Sequence, residues 1–165
     1  MIIYLEKATW NLCMNNLVYH FFDDDEFLRI SNKIAETELI TSGEIRVSIK
    51  EHKSFSERNS NIKALAEKEF YRLNMHQTRD KTGILLFFLL GERQFYILAD
   101  IGINEKVNQE VWENVSDKIQ QNFKNGYFSQ GIILGIEEVG NILEVHFPIK
   151  SDDKNELTNK VVLPL

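Results

Sequence analysis

Hydrophobic and polar positions alternate along this chain in two rhythms, one helical and one strand-like. Phe27, Ile30, Ile34 and Glu38 fall on one helical face, which Leu28, Ala35 and Leu39 widen. Asp23, Asp24 and Asp25 precede that face, where negative charge suits the positive end of the helix dipole, and Thr41-Ser42-Gly43 stops it. Helix capping accounts for the three aspartates more simply than a metal cluster does. Residues 44–50 then alternate strictly, Ile45, Val47 and Ile49 against Arg46, Ser48 and Lys50, which predicts a half-buried strand. Residues 52–60 are polar and read as a mobile loop. A second helical face follows at Ile62, Leu65, Ala66, Glu69, Phe70 and Leu73.

Residues 84–90 are apolar on both faces, the mark of a central strand. Gly91-Glu92-Arg93 turns the chain into a returning strand over residues 94–99, which makes a hairpin. Asn104 is a good helix N-cap with Glu105 behind it, and it opens a stripe of Val107, Val111, Val115, Ile119 and Phe123 that Asn125-Gly126 ends. The last helix spans residues 128–146, with Ile132, Ile136, Val139 and Leu143 inward and Pro148 closing it. Gly131 and Gly135 are expected to let that helix pack closely on the sheet. The polar segment from Ser151, ending in Val161-Val162-Leu163-Pro164-Leu165, is expected to lie extended over the domain or stay loose.

The order α-β-α-β-β-α-α predicts an α/β fold: an α-β-α sandwich with a small mixed sheet and helices on both faces. Residues 1–22 form an N-terminal extension, 23–148 the domain and 149–165 an extended tail. At 165 residues one domain is expected, large enough to fold without a disulfide or structural metal.

Charge narrows the function. Nineteen basic residues are scattered among twenty-five acidic ones for a net charge of −6, which excludes a basic nucleic-acid footprint. No apolar run approaches the length of a membrane span. Cys13 is the only cysteine, so no disulfide framework or cysteine-based zinc site exists, and without a base nearby in sequence its role reads as structural. Residues 1–5 are apolar, but Glu6 and Lys7 follow at once, unlike a secretory leader. The reading is a cytoplasmic monomer, with Met14 the more natural start.

Dinucleotide, P-loop, zinc-protease and serine-hydrolase motifs are absent, and His20, His52, His76 and His146 are dispersed. Topology supplies a candidate site instead. A strand–helix–strand unit makes a right-handed parallel crossover, and the hairpin reverses the third strand. The starts of strands one and two and the end of strand three therefore share one sheet edge. Glu44, Asp80 and Asp100 lie there, with Asn104 at the adjoining helix. Carboxylates, an amide and backbone carbonyls are the ligand set of a hard ion, Ca²⁺ or Mg²⁺, and Gly102 lets the loop approach one closely. The competing account leaves Glu44 and Asp80 as solvated charges paired with Arg46 and Arg79.

From about Asp23 onward the chain resembles bacterial members of the TPM domain family. Thr41-Ser42-Gly43-Glu44-Ile45-Arg46-Val47, residues 83–90 and Asp100-Ile101-Gly102-Ile103-Asn104-Glu105-Lys106-Val107 carry the resemblance. Trp112, the 123–126 region, Gly131, Gly135-Ile136 and Asn155-Glu156-Leu157 add to it. The resemblance implies an α/β sandwich and a divalent-cation site of the Ca²⁺ type. It also brings in the acid-phosphatase activity attributed to a plant member. Asp100 occupies the acidic position of the family's Gly-Asp-x-Gly-Ile loop, although Ala99 replaces the usual glycine. Many relatives also carry a signal peptide and membrane anchor, and neither is visible here. The leading expectation is thus a cation-binding or regulatory module, with metal ligands Asp100, Glu44, Asp80 and Asn104. A metal-assisted acid phosphatase and a protein-interaction module with a protein partner are the alternatives.

Overall fold

A computed structural model describes residues 17–152 and 155–164. Cys13, Met14 and the apolar residues 1–5 lie outside them. The described chain runs α1 (Leu17–Phe21), α2 (Asp24–Glu38), β1 (Glu44–Lys50), α3 (Ile62–Arg72), β2 (Gly83–Leu89), β3 (Gln94–Ala99), α4 (Ile101–Asn104), α5 (Gln109–Lys124) and α6 (Phe128–His146). The strands form one sheet in the order β1-β2-β3. β1 and β2 are parallel with Glu44 opposite Gly83, while β2 and β3 are antiparallel with Leu85 opposite Leu98. This is the expected mixed sheet.

Alternation divides the sheet between two covers. Ile45, Val47, Ile49, Ile84, Leu86, Phe88 and Phe95 point to one face, where side chains of α1, α2, α5 and α6 complete the main core. Leu85, Phe87 and Leu89 point to the other, against Leu65, Ala66 and Phe70 of α3. Each such side chain stabilises the fold by roughly 1.5–3 kcal/mol when fully withdrawn from water. Helices therefore cover both faces, and the sandwich is as expected.

Local chemistry sets the helix boundaries. Asp23 accepts the Glu26 amide at 2.8 Å and Glu26 accepts the Asp23 amide at 3.0 Å, a reciprocal capping box that absorbs the acidic run as expected. Ile30 and Ile34 of α2 are buried, but Leu28, Ala35 and Leu39 are exposed, so the inward stripe is narrower than the sequence suggested. The helix expected to start at Asn104 starts five residues later, and a separate short helix precedes it and ends at Asn104. Asp100 caps the short α4, and α5 starts only at Gln109.

Two further expectations change. Val18 and Phe22 belong to the main core, so packing begins within the segment read as an extension. The 52–60 loop is anchored: it holds a short 3-10 turn, Phe55–Glu57, whose Glu57 is buried between Lys50 at 3.0 Å and Lys68 at 2.7 Å. Gly131 and Gly135 do allow close approach, but chiefly to Phe123 and Ile119 of α5, with Leu86 of the sheet a more distant neighbour of Gly135.

Candidate functional site

Three segments meet at the sheet edge where β1 and β2 begin and β3 ends. Asp100 leaves β3, and its Oδ1 accepts the Ile101 amide at 2.8 Å. Its Oδ2 is buried and has no hydrogen-bond partner among the described residues. A carboxylate oxygen in that state is costly unless something meets it. Asn104, exposed at the end of α4, folds its side chain back so that Nδ2 donates to the Ala99 carbonyl at 2.7 Å. It ties the loop closed and is not the N-cap that the sequence suggested.

Gly102 stands against the turn before β2. A Cβ there would lie 2.5 Å from the Asp80 carbonyl oxygen and 2.7 Å from that of Lys81. Only glycine permits so close an approach of two backbones. The turn is itself fixed: Thr82 Oγ1 donates to Ser42 at 3.1 Å, and Lys81 adopts φ 56° with its ammonium on the His76 carbonyl. Asp100 and the Asp80–Lys81 backbone are thus neighbours, as the topology implied.

The other carboxylates face different partners. Asp80 accepts Lys150 at 2.5 Å and Arg79 at 3.4 Å, and the Lys150 hydrogen bond holds it below the usual carboxylate range. Glu44 is turned toward the C-terminal segment, where its oxygens accept the Glu156 amide at 2.6 Å and the Leu157 amide at 3.2 Å. Among the described residues no group of three or more His, Cys, Asp or Glu side chains converges as a metal cage. The expected ligands are arranged around one edge, and among the described residues Asp100 is the one of them with a buried oxygen that has no hydrogen-bond partner.

The polar face of β1 is where the sequence misled most. Arg46, Ser48 and Lys50 were expected to face solvent, yet every residue of β1 is buried. Glu69 of α3 receives Ser48 at 2.8 Å and the Arg72 guanidinium at 2.7 and 2.6 Å. Arg46 is only 5% exposed. Burial pulls its guanidinium below the ordinary value, against the opposing charges of Glu38, Glu44 and Glu69.

The C-terminal segment covers the rest of this face. Val162 adds to the open edge of β1, accepting the Ile49 amide and donating to the Val47 carbonyl, each at 2.9 Å. Leu157 packs among the apolar side chains beneath α3. Asn155 and Asn159 both donate to Glu38 Oε2, the former at 3.2 Å, while Glu38 Oε1 accepts the Ile45 amide at 2.7 Å. Burial, reinforced by the charge of Glu44, pushes the Glu38 carboxyl up to about 8, against the hydrogen bonds from Ile45 and Asn159 and the charge of Arg46. Sequence reasoning missed Glu38 as a site residue. Its signal was present: a carboxylate in phase with Phe27, Ile30 and Ile34 on an inward helical face.

Comparison with known proteins agrees with this architecture. The NMR structure of BA42 protein from the psychrophilic bacterium Bizionia argentinensis is 33% identical, covering 89% of this chain and 98% of its own, with TM-score 0.80. The N-terminal domain of a protein from P. gingivalis shares the fold at 13% identity, 77% and 79% coverage and TM-score 0.62. So does the N-terminal domain of cg2496 protein from Corynebacterium glutamicum, at 10% identity, 96% and 93% coverage and TM-score 0.56. No curated protein matches. No helix among the described residues is long and apolar enough to cross a membrane. Residues 18–142 match the TPM domain, and the chain belongs to that family.

Proposed function

We propose that this TPM domain is a divalent-cation-binding module of the Ca²⁺ type, with Mg²⁺ as the smaller alternative. The observation that carries the reading is the buried, unpartnered Oδ2 of Asp100 among the described residues. Hard cations take carboxylate and carbonyl oxygens, and both kinds are present at this edge. Asp100 is the principal ligand. Asp80 is second, because it must first exchange the Lys150 ammonium for the ion. Glu44 comes last, because a shift toward an ion would release the Glu156 and Leu157 amides. Asn104 supports the loop through Ala99 and contributes by holding its shape.

Amide spectra recorded during a calcium titration test this. Shifts centred on residues 80–82 and 100–104 are expected, with little change in the wild-type pattern when Asp100→Asn is titrated. Absence of shifts at millimolar calcium overturns the proposal. Binding to the folded state alone also raises its apparent stability, so the wild type should melt later in calcium and Asp100→Asn should not.

A further inference from the structure

We propose that the outer edge of β1, with Glu38, Glu44 and the apolar seat of Leu157, is a peptide-recognition groove that the chain's own C-terminal segment fills in cis and that a second copy's C-terminal segment fills in trans.

The contacts are of the kind that recognise an extended strand. Val162 exchanges two backbone hydrogen bonds with the β1 edge, the mode by which a sheet accepts an added strand. Glu44 reads the backbone through two successive amides, at Glu156 and Leu157. Glu38 reads side chains by accepting the amides of Asn155 and Asn159. Leu157 supplies the apolar anchor against the side chains under α3. None of these contacts depends on the segment being covalently joined to this particular domain.

The groove needs an occupant. Without the segment, the edge groups of Ile49 and Val47 and the carboxylates of Glu38 and Glu44 would lose the partners just described. An exposed strand edge is a template for pairing with another chain. The occupant that the groove already fits is the Asn-Glu-Leu-Thr-Asn sequence, and a second copy carries the same one. Residues 149–154 separate Pro148, paired with Thr41, from Asn155. That length spans at most about 24 Å when extended. Exchange of identical elements reuses every contact and is a low-cost route to a dimer.

Cis binding dominates in dilute solution, since a short tether gives an effective concentration on the order of millimolar. The test therefore uses full-length variants in the presence of a chelator, which separates it from the cation reading. The strap variant carries Leu157→Asp and Asn159→Ala with an intact groove. The groove variant carries Glu38→Gln and Glu44→Gln with an intact strap. A labelled synthetic peptide of residues 152–165 should bind the strap variant at least about tenfold more tightly than the wild type, whose groove is already filled. It should bind the groove variant weakest of all. Native mass spectrometry of the two variants mixed should show a heterodimer that neither forms alone. Equal peptide binding to all three chains, no binding at millimolar peptide, or a mixture that stays monomeric overturns the inference. Should the strap variant lose its circular dichroism signature, Asn159→Ala alone takes its place with the same expected ranking.

Discussion

A methyl group at Gly102 would meet two carbonyl oxygens of the main chain, at 2.5 and 2.7 Å, and neither can swing aside as a side chain would. The loops carrying Asp100 and Asp80 must then separate. Gly102→Ala is expected to cost about 1–3 kcal/mol, the range for overpacked sites, and to move the amide resonances of residues 80–82. A melting curve and spectrum indistinguishable from wild type would show that the two loops do not hold each other. Glu69 poses the opposite problem, because it is a buried acceptor rather than a tight space. It holds Ser48 and Arg72, and its charge faces Arg46. Glu69→Ala leaves the buried Ser48 hydroxyl without its acceptor and the buried Arg46 without one of the charges it faces, for an expected loss of about 2–4 kcal/mol in denaturant unfolding. A loss below about 1 kcal/mol would mean that water takes over the role of the carboxylate.

At the scale of elements, helix packing depends on small residues facing neighbouring helices. A Cβ on Gly140 of α6 would come within 2.1 Å of the Thr37 methyl carbon in α2. Thr37 cannot rotate away freely, because its hydroxyl donates to the Lys33 carbonyl at 2.7 Å. Gly140→Ala should cost about 1–3 kcal/mol alone. Thr37→Ser removes the offending methyl while keeping the hydroxyl, so the double variant should recover most of that loss. Additive losses in this cycle would place the strain elsewhere. The same scale shows what the sequence made legible. The last helix, residues 128–146, and the central strand were readable because their patterns are long and local. β1 was half readable: its alternation was correct, but the inference that its polar face meets solvent failed. The covers of that face come from Glu69 and from Leu157, more than a hundred residues beyond Glu44 in the case of the strap, and no local pattern encodes them. The candidate edge was likewise legible from topology, whereas the diversion of Glu44 to the strap and of Asp80 to Lys150 was not.

For the molecule as a whole, three carboxylates with displaced titration give stability an uncommon dependence on pH. Glu38 is raised in the folded state from about 4.5 to about 8, first by burial and then by Glu44. The folded protein therefore holds the Glu38 proton more tightly than the unfolded chain does. Its stabilising contribution is complete below about pH 4.5, declines as pH rises and is gone above about pH 8. One proton limits the slope to about 1.4 kcal/mol per pH unit. Glu57 acts in the other direction. Lys68 hydrogen bonding, with help from Ser54 and Lys50, holds its carboxyl well below the usual range, so its contribution is present above its unfolded value and lost as acid is added. Asp80 adds to that acid limb through Lys150. These three groups together favour maximum stability on the mildly acidic side, with a falling limb between roughly pH 5 and 8 that belongs to Glu38. Glu38→Gln removes the titrating group but keeps an acceptor for the Ile45 amide, so it should flatten that limb and leave the acid limb in place. Chemical denaturation at half-unit pH intervals reads both limbs at once. A wild-type limb that does not fall, or one that survives Glu38→Gln unchanged, would show that the strap and β1 are not linked through this carboxyl.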